Sequence, residues 1–116
     1  MEYIQASRAR RLAMEQVAKA FENVDVVVAP SFSTQLVVTN LTGHPALILP
    51  NGLRGDDAPK PPANAEIEDN VGGPGTPVSL TFIGRLYGEA KLLALARAYQ
   101  EATDFHLKQP PLPPRA

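Results

Sequence analysis

The sequence predicts a small α/β layer: three strands, at 26–29, 46–49 and 78–83, with two helices, 2–23 and 87–106, available to cover them. Three observations predict it. Apolar residues recur at helical spacing at both ends of the chain. Two short apolar runs, Val26–Ala29 and Ala46–Leu49, each stop at a proline. A third run, Val78–Ile83, begins with the alternation of a half-buried strand.

Residues 2–23 read as a helix because Met14, Val17, Ala18 and Phe21 fall at i, i+3, i+4 and i+7, one apolar stripe that Ile4 extends. Arg8, Arg10, Arg11, Glu15 and Lys19 supply its wet side. Asp25 then opens Val26–Pro30, whose β-branched run is apolar on both faces and suits a central strand better than an edge. Residues 31–44 fit either a strand or a short helix, with Gly43 as a stop. Ala46–Leu49 reads as a second buried strand, ended by Pro50 and the turn pair Asn51–Gly52. Val78–Ile83 is the natural antiparallel partner of 46–49, in a hairpin with a long connection.

That connection, 54–77, carries five acids and two bases, and Ile67 and Val71 are its large apolar residues. It has too little apolar area to offset its ordering entropy, so a flexible excursion is expected there. Leu92, Leu95, Ala96, Tyr99 and Thr103 mark the inner face of the last helix. Residues 107–116 form a proline-rich tail of polyproline character. The chain is read as one domain, 1–116.

Composition narrows the function. The 116 residues carry a formal net charge of −1, which points away from nucleic acid and from membrane surfaces as partners. There is no cysteine, hence no disulfide framework or thiolate chemistry. No apolar run is long enough to cross a bilayer. The start lacks an apolar signal-peptide centre, and the cytoplasm is the default setting. The two histidines, His44 and His106, have no Cys or acidic neighbour at metal-ligand spacing, so no metal and no cofactor is expected. His106 reads as a residue favoured by a helix C-terminus.

Ser7, Ser31, Ser33 and Ser79 are the serines, and none lies in a G-x-S-x-G elbow. A triad is set by geometry rather than order, yet no local motif marks one. Ser31 and Ser33 follow a strand end, where α/β folds place ligand-contacting loops. Thr39–Pro45 is dense in turn formers: Asn40 suits a turn and Gly43 a positive φ. The arginine cluster reads as a solvated face with local salt bridges. In the tail, Pro110-Pro111-Leu112-Pro113-Pro114-Arg115 matches a P-x-x-P ligand for an aromatic-lined groove.

Taken in order, several segments resemble the C-terminal end of amidase-signature enzymes. They are Tyr3–Arg10, then Phe21 with Asp25–Ser31, then Thr39-Asn40-Leu41-Thr42-Gly43-His44-Pro45-Ala46 and Leu49-Pro50-Asn51-Gly52. Pro77–Gly84, Gly88-Glu89-Ala90 and Ala98–His106 complete the set. The resemblance implies hydrolysis of linear amide C–N bonds, or ammonia release for an amidotransferase, through an acyl-serine, using two serines and a lysine. It also implies an incomplete fold: part of a mixed sheet with covering helices, and a loop around Asn40 that approaches the substrate pocket; with Ser31, Ser33 and Gly43 it makes the candidate pocket-side loop. Nothing in these residues matches the glycine- and serine-rich signature that carries the catalytic groups. No catalytic residue is therefore carried over, and this chain by itself is expected to be inactive. In the glutamine-using amidotransferases of the family, an acidic residue precedes the asparagine–leucine segment. Residues 33–39 contain no acid, which tilts the reading toward a stand-alone amidase.

The expected partners are the N-terminal part of an amidase fold, or a second copy of the chain, and a small-molecule amide for the parent enzyme. A non-catalytic interaction module that keeps this half-fold, with the tail as a ligand, is the alternative.

Overall fold

The structure, a computed structural model, describes residues 1–31, 33–60 and 72–108. Its elements are α1 (Glu2–Ala20), β1 (Val26–Pro30), α2 (Gln35–Thr42), β2 (Ala46–Leu53), β3 (Pro77–Gly84), α3 (Glu89–Thr103) and a terminal 3-10 turn, Phe105–Leu107. The expected incomplete α/β layer is present, with one helix more than predicted. The undecided stretch 31–44 resolves as α2, closed by Gly43 in the left-handed region. Its amide donates to the Thr39 carbonyl at 2.8 Å, which ends the helix as glycine after a last turn commonly does.

The three strands form an open sheet of order β1-β3-β2, antiparallel throughout. The predicted pairing of 46–49 with 78–83 is realised, with Leu47 opposite Phe82 and Leu49 opposite Leu80. The central strand is β3, however, and the β-branched run Val26–Pro30 lies at an edge. Its double-sided apolar character therefore goes unused: Val28 is 59% exposed. β2 is the other edge, and there Ile48 is 55% exposed.

Pro50-Asn51-Gly52 does not end its strand. Pairing runs on to Leu53 opposite Pro77 through a register shift, where Gly52 takes φ +101°. A Cβ on Gly52 would stand 3.2 Å from the Phe105 ring, so both backbone and space ask for glycine. The ladder continues into the base of the expected excursion, where Arg54 and Thr76 are bonded at 2.9 Å. Residues 61–71 of that excursion, and residues 109–116 of the tail, lie outside the described residues.

Alternation along β3 separates two faces. Leu80 and Phe82 point toward α3, where Leu49, Phe82, Leu92 and Ala96 make the core and Val26, Leu47 and Tyr99 pack around it. The Tyr99 ring meets Phe82 edge-on at 5.5 Å. Leu95, expected inside, is exposed; the buried residues of α3 are Leu92 and Ala96. Thr81 and Ile83 belong to the opposite face and are buried, whereas Val27 and Ile48 beside them are exposed. Both predicted helices end early. Phe21 caps α1, and Asp104 at φ +54° stops α3. His106 therefore sits on the separate 3-10 turn rather than in the last turn of α3.

α1 buries none of its residues. Its predicted stripe holds only near the C-terminal end, where Met14 and Val17 are half-buried and Phe21 follows as a buried residue; Ile4 and Ala18 are exposed. Arg10 ties α1 to α2 by donating from Nε to the Leu41 carbonyl, and Arg11 pairs with Glu15 at 3.1 Å.

Candidate functional site

The residues expected to line a pocket-side loop are split by α2. Ser31 and Ser33 precede it, while Asn40 and Gly43 lie in and after its last turn. The first five residues of α2, Gln35–Thr39, stand between Ser33 and Asn40, and Gly43 follows the end of the helix. Ser31 is half-buried at the end of β1, and its Oγ accepts from Thr81 Oγ1 at 3.4 Å. Ser33 is exposed and gives its carbonyl to the Leu36 amide. Asn40 is exposed on the helix instead of tying a turn. Among the described residues, no histidine or carboxylate hydrogen-bonds either serine, and no cluster could hold a metal ion. Nothing here activates a nucleophile.

The polar centre that does form lies one residue beyond Gly43. His44 is 6% exposed, its ring stacked on Phe21 with centroids 5.5 Å apart. His44 Nδ1 lies 2.7 Å from Thr42 Oγ1, and Thr42 Oγ1 lies 2.8 Å from the Val38 carbonyl. A carbonyl only accepts, so the single threonine proton goes to Val38. Thr42 must then accept, and Nδ1 carries the imidazole proton. The network thus assigns the tautomer and leaves Nε2 as an acceptor. Burial lowers the His44 pKa below its ordinary value and holds the ring neutral.

His44 lines an open cleft of about 260 Å³ with Ala18, Phe21, Glu22, Arg85 and Leu86. The C-terminal end of α1 supplies one wall and the exit of β3 the other. Arg85 spans them, donating from Nε and Nη2 to the Val24 carbonyl at 3.3 and 3.1 Å. Below it, Lys91 pairs with Asp25 at 2.8 Å and lowers the Asp25 pKa through that hydrogen bond. The sequence offers one signal for this centre, a histidine held between a helix-stopping glycine and a proline. Its burial depends on Phe21, which is remote in sequence.

No family model matches the chain, and no solved structure does. Curated relatives do match. The A subunit of glutamyl-tRNA(Gln) amidotransferase from Acinetobacter baumannii is 31% identical over 126 aligned residues, covering 92% of this chain and 22% of the relative. The protein of that name from a Synechococcus strain is 32% identical over 95% of this chain and again 22% of the relative. That of Acinetobacter baylyi is 30% identical. The chain therefore spans about a fifth of the length of the relatives it matches. Over that stretch the chain is similar to these A subunits, in line with the resemblance to the amidase-signature family that its ordered motifs carry.

Proposed function

We propose that this chain forms the C-terminal part of an amidase-like hydrolase acting on linear amide C–N bonds, in a cytoplasmic setting. It supplies strands and covering helices, while the acyl-serine machinery comes from the N-terminal part of the fold. The observation that carries the reading is the match along 92% of the chain to only 22% of the relative. Its physical support is a sheet whose two edges are apolar and free of charge over Val26–Ala29 and Ala46–Leu49. Edges of that kind call for a further strand or cover. Residues 33–39 contain no acid, which tilts the reading toward a stand-alone amidase, whereas the relatives matched are amidotransferase A subunits.

Two measurements on the purified chain test this. Ammonia release from simple amides should stay at background, and sedimentation should show self-association. Amide hydrolysis that Ser31→Ala or Ser33→Ala abolishes would overturn the assignment of the chemistry elsewhere. A compact monomer with a cooperative, reversible melt would favour a self-sufficient interaction module.

A further inference from the structure

We infer that the cleft between the end of α1 and the exit of β3 binds a small planar lactam, its N–H donated to His44 Nε2 and its carbonyl accepting from Arg85. The inference stands apart from the amidase reading, since none of Ser31, Ser33, Asn40 or Gly43 lines this cleft. It begins with an acceptor left open. His44 is more than nine-tenths buried, and its Nδ1 proton is committed to Thr42. Among the described residues Nε2 has no hydrogen-bond partner, yet every sealed side-chain nitrogen or oxygen has one. Nε2 therefore reaches solvent, and the ring lines the cleft.

The second group is Arg85. Its Nε and Nη2 are held by the carbonyls of Val24 and Glu22, which fixes the guanidinium plane. Its Nη1 makes no hydrogen bond to a described residue and keeps two donors. Ala18, Phe21 and Leu86 make the remaining walls largely apolar. The volume, about 260 Å³, lies under the range of roughly 300–1,000 Å³ usual for drug-sized ligands. A cis-lactam edge matches this lining, because its donor and acceptor point the same way from one flat apolar body. A carboxylate matches poorly: it meets Arg85 but offers no proton to Nε2, and Glu22 is among the lining residues.

The test is saturation-transfer difference NMR on the full 116-residue chain at neutral pH, with 2-pyridone as the probe. This readout works equally for monomers and larger assemblies. Ring protons of 2-pyridone should receive saturation. N-methyl-2-pyridone, which keeps the carbonyl and lacks the donor, should bind about tenfold more weakly, the loss expected for one hydrogen bond. His44→Phe keeps an aromatic ring against Phe21 and should abolish the preference between the two probes. Arg85→Gln should weaken both, which keeps a second reading available if His44→Phe fails to fold. No saturation with 2-pyridone, or equal signals from N-methyl-2-pyridone, overturns the proposal. Stronger binding of benzoate than of 2-pyridone overturns it too, by showing an anion site at Arg85.

Discussion

Replacing Thr42 with valine keeps the side chain's shape and removes the one hydroxyl that joins Val38 to His44. In the native protein Thr42 is 1% exposed and its Oγ serves two bonds, at 2.8 Å to the Val38 carbonyl and 2.7 Å to His44 Nδ1. The substitution leaves a buried N–H facing a methyl group. An unmade buried hydrogen bond costs about 1–3 kcal/mol, a large fraction of the roughly 5–15 kcal/mol that holds an ordinary domain together. The imidazole has one escape, to move its proton to Nε2, where the cleft gives access to water. The expected outcome is a destabilisation of about 1–3 kcal/mol in urea titrations at fixed protein concentration. Nitrogen chemical shifts of His44 should at the same time report the Nε2–H tautomer. Thr42→Ser, which retains the hydroxyl, should keep the Nδ1–H tautomer. A Thr42→Val protein with native stability and an unchanged tautomer would refute the relay, and with it the free acceptor in the cleft.

Three further outcomes are expected. Burial depresses the His44 pKa below 6.5, so the unfolded chain takes up a proton there before the folded one does. Stability should fall as pH drops through 6.5 and level off below the folded value; urea midpoints between about pH 8 and 5 check this, and His44→Phe should flatten the profile. Phe82→Ala empties the core beneath Leu92 and Ala96 and removes the edge-on contact to Tyr99. A loss of about 3–5 kcal/mol is expected in thermal or urea unfolding, and a loss under about 1 kcal/mol would show that α3 does not seal the sheet there. Gly52→Val sets a β-branched side chain at φ +101° and against Phe105. It should destabilise by more than about 1 kcal/mol and loosen the Phe105–Leu107 turn in amide hydrogen exchange.

The sequence by itself determined the elements whose signals are local. Leu92 and Ala96 at helical spacing mark α3, and they are the helix residues that reach the core. Alternation in Val78–Ile83 told the two faces of β3 apart, and the turn-rich break between 49 and 78 was enough to pair it with β2. Gly43 was legible as a left-handed stop, since only the backbone at that point decides it. The family resemblance was legible too, because it resides in the order of short motifs and needs no geometry.

Tertiary structure alone decided what depends on distant neighbours. A run such as Val26–Ala29 reads as a central strand, but strand order is set by which backbone finds a partner, and β3 takes both. Pro50-Asn51-Gly52 has the composition of a turn; it stays in the ladder because β3 still runs alongside and Phe105 closes over Gly52. Ser31, Ser33, Asn40 and Gly43 read as one loop, and α2 takes Asn40 into a helix that parts it from the serines. His44 shows the same limit in reverse. Its neighbours in sequence supply one hydrogen bond, whereas the stacking on Phe21 and the cleft with Arg85 come from residues more than 20 positions away. Local pattern fixes backbone conformation, and burial and electrostatics are fixed only when the chain closes on itself.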